Sequence, residues 1–208
     1  RLDGERWRAL QALPQTTDPK EIISPKVNGN ELFMHEVGPA ERGTSPEVVL
    51  AVGPAFGEEI TETLTGTRHV DVLRAILDGI LGEGLSARVM RIYHTSDCAF
   101  IGHAGAKLSG SGVAIGLQSR GTTVIHHRDL APLNNLELFP QAPNLTLDTY
   151  RQIGRNAACY ALNHPVPPIK LSVDNYARLR LIVKTTLMHW CETQQIEVGA
   201  PPIEVRVG

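Results

Sequence analysis

Apolar and polar positions recur with two different periods along the chain, and each change of period marks a change of element. The run 47–53 (EVVLAVG) is short, apolar and β-branched, which predicts a buried strand before a Gly-Pro turn. From Val70 to Leu85 the apolar residues return every three or four positions, as on an amphipathic helix. The segment 86–97 then alternates like a strand. This order predicts a β–α–β unit with two parallel strands.

The second half of the chain continues in the same way. Two more strands are predicted at 112–118 and 122–127, and the proline-containing segment 130–143 predicts an ordered loop. Two helices follow. The first is predicted to start at an N-cap on Thr146 and to end near 162, and the second covers roughly 174–194.

The first 45 residues have a different composition from the rest. They are polar, with scattered prolines and glycines, and they predict an arm that lies across a surface or a partner. Residues 46–208 are predicted to form one domain, because single cores commonly run to ~100–200 residues.

Composition and charge remove several classes of function. Hydrophobic residues make up 42% of the chain and charged residues 20%, which is typical of a globular protein. The net charge of −2 gives no basic surface for nucleic acid, and no apolar run approaches the ~20 residues that cross a bilayer. The cysteines are three and widely spaced (Cys98, Cys159, Cys191), which favours a reducing cytoplasm.

Two glycine-containing segments are candidates for a nucleotide loop. Gly110, Gly112 and Gly116 have the spacing GxGxxxG, but they precede a predicted strand, whereas the dinucleotide fingerprint follows one. Close approach of a ligand or a tight turn explains them equally well. In VGPAFGEE, Pro54 removes a backbone donor and two glutamates repel phosphate, so a turn within a βα unit is favoured.

No catalytic or metal-binding motif stands out. The neighbours His126 and His127 point to opposite faces of a strand, and the sequence contains no HExxH and no GxSxG. On motifs alone the chain has no catalytic residues and no metal ligands of its own.

The stretch 108–161 carries a specific resemblance. LSGSG, IGLQS-basic-GTTVIH, NLELFPQAP and TLDTYRQIG-basic-NAA occur in order, and EVVLAVGPAFG and GEGLSARVMRIYHTSD precede them. Together these runs resemble the medium (β) subunit of the adenosylcobalamin-dependent diol/glycerol dehydratases, over roughly residues 45–195.

The resemblance implies a role as one subunit of a lyase. Such an enzyme is an (αβγ)2 assembly that dehydrates 1,2-propanediol or glycerol to an aldehyde through radicals. The large subunit holds the substrate, potassium or another cation, and the catalytic side chains. The medium subunit is an α/β protein, with a Rossmann-like, mostly parallel sheet flanked by helices, an N-terminal arm and C-terminal helices. It holds the lower face of the corrin and the nucleotide tail of the cofactor.

Six cofactor-binding positions follow from the resemblance. Asp97 would accept hydrogen bonds from a corrin amide, and a surface cap is the alternative for it. Arg120 stands at the family's basic position beside the nucleotide phosphate, where most relatives have Lys, and a hairpin charge is the alternative. The other four are Leu133, Asn135 and Pro140 in the PLNNLELFP loop, with plain loop packing as the alternative for Pro140, and Arg178 in the last helix.

Further expectations follow from the same family. The sequence lacks the DxHxxG pattern of enzymes that replace the lower base with histidine, so base-on binding is expected. The partners expected are the large and small subunits and the reactivating factor, and the family is compatible with enclosure in a bacterial microcompartment. The alternatives are the small subunit of the reactivating factor, and an independent nucleotide-binding enzyme.

Overall fold

The computed structural model describes residues 34–140, 145–171 and 179–208. Its strands are β1 (Met34–Pro39), β2 (Glu47–Val52), β3 (Ser86–Arg91), β4 (Val113–Leu117), β5 (Thr123–His127), β6 (Glu137–Phe139) and β7 (Ile203–Val207). Its helices with defined bounds are α1 (His69–Gly82), α2 (Cys98–Leu108), α3 (Leu147–Leu162) and α4 (Ile182–Gln194). None of the helices in the described part is long and apolar enough to cross a membrane.

The seven strands form one sheet in the order β1-β7-β3-β2-β4-β5-β6. The central pairs β2–β3 and β2–β4 are parallel, and the outer pairs are antiparallel. Five strands therefore point the same way, and only β5 and β7 run against them. The predicted α/β class is confirmed, as is the parallel β–α–β unit.

The helices cover both faces of the sheet. On β2, Val48, Leu50 and Val52 pack with α1 and α3, whereas Val49 and Ala51 pack with α2. Successive side chains on a strand point to opposite faces, so β2 is buried on both sides and is continuously apolar from Val48 to Val52.

Most elements with a clear period lie where the sequence predicts them. The α1 helix ends at Gly82, at the first of the two glycines (Gly82 and Gly84) that are expected to end it, and β3 ends at Arg91, six residues before the end of the predicted strand. Thr146 caps α3 as expected, in a capping box with Thr149, and the helix ends at residue 162. Of the helix predicted over 174–194, α4 is described, and residues 172–178 lie outside the described residues.

Two elements beyond residue 45 were missed. The short strand β6 lies in the segment predicted as a loop. The α2 helix was missed because its glycines lower helix propensity. They are needed for packing: a Cβ at Gly102 would lie 2.8 Å from a methyl of Val124, and one at Gly105 would lie 2.8 Å from Cβ of Ala51.

The end of the predicted arm belongs to the sheet. The β1 strand, which falls within residues 1–45, pairs with β7 at the edge of the sheet. Residues 1–33 lie outside the described residues, so the arm over that part stays a prediction, as does the boundary at 45/46.

The glycines of LSGSG form a turn at the amino end of β4. The hydroxyls of Ser109 and Ser111 donate to the carbonyl of Glu47, and the N–H of Gly110 donates to its carboxylate at 3.3 Å. A Cβ at Gly110 would lie 1.9 Å from the Ser45 carbonyl oxygen. Close backbone packing therefore explains this motif, and a ligand is not needed.

Candidate functional site

The parallel strands β2, β3 and β4 all end at the same edge of the sheet. The connection from β2 to β3 runs through α1 on one face, and the connection from β3 to β4 runs through α2 on the other. The gap between the ends of β2 and β4 is therefore the topological switch point, where α/β proteins commonly bind ligands. Asp97 lies in the segment after β3, and Arg120 lies in the turn after β4.

Asp97 is the N-cap of α2. Its Oδ1 accepts hydrogen bonds from the N–H groups of Ala99 (2.9 Å) and Phe100 (3.2 Å), which confirms the cap interpretation. The residue is exposed, and none of the described residues donates a hydrogen bond to its Oδ2. Capping uses one carboxylate oxygen and leaves the other available to a donor from outside the fold.

Arg120 is half-buried and held through one nitrogen. Its Nε donates to Oε1 of Gln118 at 3.1 Å, and Nε2 of Gln118 donates to the carbonyl of Ser96 at 2.5 Å. The Gln118 amide therefore joins the turn after β4 to the segment after β3. Among the described residues no partner occupies the two terminal nitrogens of Arg120, which form a fork suited to an anion.

Sequence reasoning missed Gln118, Ser119 and Glu192. The first two lie within the resembling run IGLQS-basic-GTTVIH, directly before the basic position, and that was the available signal. No signal in the sequence pointed to Glu192, because it lies 72 residues beyond Arg120 in the chain.

The turn formed by residues 118–121 is fixed from several sides. The backbone N–H of Leu64 donates to the carbonyl of Arg120 at 3.0 Å, and the Tyr150 hydroxyl donates to the carbonyl of Gly121 at 2.9 Å. Ser119 lies between two buried ionisable side chains, His69 and Glu192. The position of Arg120 is thus set by long-range contacts.

His69 binds the turn as a neutral ring. Its Nδ1 accepts the N–H of Gly57 (3.0 Å), so Nε2 carries the proton and donates to the Ser119 carbonyl (2.7 Å). The ring stacks on Phe56 with centroids 3.9 Å apart. Burial lowers its pKa to about 3, so it is uncharged at neutral pH. His69 is therefore a core histidine whose two ring nitrogens both have partners within the fold.

Glu192, on α4, holds the opposite side of Ser119. Its Oε1 accepts the Ser119 N–H at 3.1 Å and the hydroxyl at 2.7 Å. Burial raises the pKa of this carboxyl to about 7, while the bonds from Ser119 and the charge of Arg120 act in the opposite direction.

Cys98, directly after Asp97, is a buried cysteine at this edge. Its thiol is buried and donates to the carbonyls of Gly116 (3.3 Å) and Thr122 (3.2 Å). Burial raises its pKa far above the ordinary value, which keeps the thiol protonated. No group of three or more metal-binding side chains occurs in the described ranges.

The structure brings some of the other predicted site residues to this edge. Pro140 directly follows Phe139, which pairs with Thr123 at the start of β5, so it lies at the carboxyl edge. Leu133 and Asn135 are in the β5–β6 loop, which lies beside the middle and the carboxyl-terminal end of β5. Because β5 is antiparallel to β4, these two residues lie away from the carboxyl edge of the parallel strands. Arg178 lies outside the described residues.

The fold and this edge define a class: an α/β protein that presents a carboxylate and a guanidinium at the switch point of its sheet. A family model described as "Dehydratase medium subunit" matches residues 53–167, more than half of the chain. The chain belongs to the dehydratase medium subunit family. It is therefore a part of a dehydratase, and its family implies further subunits.

The solved structures that are similar to this chain include the following two. One, titled "Glycerol dehydratase reactivase", has 20% identity and a TM-score of 0.49, with 60% of this chain and 98% of that chain covered. The other is titled "Structure of diol dehydratase-reactivating factor complexed with ADP and Mg2+". It has 19% identity and a TM-score of 0.45, with 64% of this chain and all of that chain covered.

Proposed function

We propose that the chain is the medium subunit of a coenzyme-B12-dependent diol/glycerol dehydratase, a lyase that forms an aldehyde and water from 1,2-propanediol or glycerol. The observation that carries the proposal is that the family match spans both segments of the edge, 92–97 and 118–121. On those segments Asp97 and Arg120 lie at the same end of the sheet, and the Gln118 amide joins Arg120 to the carbonyl of Ser96, next to Asp97.

The side chains at the edge fit adenosylcobalamin. A corrin carries amide side chains, whose N–H groups need an acceptor such as Oδ2 of Asp97, and its nucleotide tail carries a phosphate that suits the fork of Arg120. The bound cofactor would supply the radical chemistry, and this chain would supply binding and orientation. Pro140 would extend the contact along the edge, and Leu133, Asn135 and Arg178 are proposed as further contacts.

The lower base is proposed to stay on the cobalt. The sequence has no DxHxxG pattern, and His69, the histidine buried against the edge turn, uses both ring nitrogens within the fold. The proposed partners are the large and small subunits in an (αβγ)2 assembly, with potassium or another cation in the large subunit, and the reactivating factor. The proposed location is the cytoplasm, with enclosure in a microcompartment compatible with it.

Replacing Arg120 with alanine tests this function directly. The chain, co-expressed with the large and small dehydratase subunits, is expected to co-purify with both and to bind adenosylcobalamin. In the assembled complex Arg120→Ala should weaken that binding by about 10- to 150-fold, because a charge-assisted hydrogen bond contributes about 1.5–3 kcal/mol. The measurement is the dissociation constant for adenosylcobalamin, from its absorption spectrum on titration.

Two control variants make that result specific. Arg120→Lys keeps the charge and should retain most of the affinity, whereas Arg74→Ala removes an exposed arginine from α1 and should change nothing. Unchanged cobalamin affinity in Arg120→Ala would remove this residue from the site. Recovery of the large subunit without the small subunit and without corrinoid would favour the reactivating-factor alternative.

Two substitutions at Asp97 separate its cap from its proposed ligand contact. Asparagine caps a helix about as well as aspartate, so Asp97→Asn should keep α2 intact while it weakens cobalamin binding about three- to tenfold. Asp97→Ala should weaken binding at least as much and also lower stability by about 1 kcal/mol. Thermal unfolding and cobalamin titration of both variants check this. If Asp97→Asn binds cobalamin as the unmodified chain does, the carboxylate is only a cap.

A further inference from the structure

The α4 helix lies against the long connection between β2 and α1. Its buried Met188 and Cys191 pack on apolar residues of that connection, and Nζ of Lys184 lies 3.1 Å from a carboxylate oxygen of Glu62. These contacts hold the helix in place. Glu192, which is 1% exposed, lies next to them and reaches further, to the carboxyl edge of the sheet.

The carboxylate of Glu192 lies at the switch point. A Cβ built on Gly53, directly after β2, would be 2.1 Å from its Oε1, so a larger residue there would displace the carboxylate. The same oxygen accepts both hydrogen bonds from Ser119, two residues after the end of β4. One buried carboxylate thus lies between the ends of β2 and β4.

We propose that Glu192 is a positioning residue for Arg120, acting through Ser119. Glu192 holds the N–H and hydroxyl of Ser119, and His69 holds its carbonyl at 2.7 Å. With both of its backbone polar groups held, Ser119 sets the direction in which the next residue leaves the backbone. The proposal rests on the proposed function, because it assumes that the fork of Arg120 binds the cofactor.

Charge supports the same arrangement. The positive charge of Arg120 is near enough to favour the ionised form of Glu192 against the effect of burial. The guanidinium of Arg120 is already oriented before an anion binds. Its Nε donates to Gln118, and its backbone position follows from the fixed Ser119.

The experiment compares four variants of the assembled complex, with adenosylcobalamin as the probe. Glu192→Ala should raise KM for adenosylcobalamin about tenfold and leave kcat nearly unchanged, because it misplaces a binding group and touches no reacting atom. Glu192→Gln should stay within about threefold, because its amide oxygen still accepts from Ser119. Ser119→Ala should raise KM about three- to fivefold, and it tests the proposal even if Glu192→Ala does not assemble. Met188→Ala, one turn away on α4, should lower Tm but not change KM.

A double-mutant comparison distinguishes two roles of Glu192: positioning Arg120, or only holding α4 against the rest of the fold. In the Arg120→Ala background, Glu192→Ala should raise KM no further. Additive effects, or a rise in KM for Met188→Ala that matches its loss of Tm, would overturn the positioning role. If Arg120→Ala itself leaves KM unchanged, the proposed binding site fails as well. If Arg120→Ala raises KM and neither Glu192→Ala nor Ser119→Ala does, only the positioning role fails.

Discussion

Replacing Gly154 with alanine is expected to lower the free energy of unfolding by about 3 kcal/mol or more. Gly154 lies in α3, where that helix crosses α1, and a Cβ there would be 2.1 Å from the carbonyl oxygen of Ile76. The crossing is reciprocal, because a Cβ at Gly79 would lie 2.1 Å from the carbonyl oxygen of Arg151. Both obstacles are backbone atoms, which cannot rotate away, so the two helices must separate, and overpacking of this kind is costly. Urea unfolding followed by circular dichroism measures the loss.

Gly82→Ala is the matched control for this prediction. Gly82 ends α1, and nothing lies within 4 Å of a Cβ built on it. Alanine favours helix, so this variant should be neutral or more stable by up to about 1 kcal/mol. Equal stability of Gly154→Ala and Gly82→Ala would mean that α1 and α3 do not approach as closely as described.

Arg91→Met is expected to cost about 3 kcal/mol or more of the free energy of unfolding. Arg91 ends β3 and is fully buried, and its Nη1 donates to the carbonyls of Pro54 (3.1 Å) and Phe56 (2.8 Å). Its Nη2 donates to Glu58 at 3.2 Å, and its Nε forms a 3.1 Å ion pair with Glu36, without the geometry of a hydrogen bond. Methionine keeps much of the stem volume but leaves the two carbonyls without their charged donor.

The same urea unfolding experiment measures the effect of Arg91→Met. Arg74→Ala, on the exposed face of α1, serves as its control and should change stability by less than about 0.5 kcal/mol. A loss below 1 kcal/mol in Arg91→Met would mean that the connection after β2 does not depend on this guanidinium.

The sequence by itself determined the elements whose information is local. The apolar run predicts β2, the helical period predicts α1, and Thr146 predicts the start of α3. Each of these signals lies within a short segment of the sequence, and all three elements are in the structure. Family resemblance, and not spacing or charge, pointed to Asp97 and Arg120. Each had a structural alternative that their own neighbours in the sequence could not exclude.

Only the tertiary structure decided how these pieces meet. The α2 helix forms despite glycines that disfavour it, because close packing on the sheet offsets their poor propensity. Asp97 and Arg120 come to one edge because β3 and β4 run parallel on either side of β2. Glu192 reaches Ser119 across 73 positions of the chain, and its burial and hydrogen bonds exist only once α4 has packed. Local sequence carries propensity and period, whereas the register of a sheet and the docking of a helix depend on contacts between distant residues.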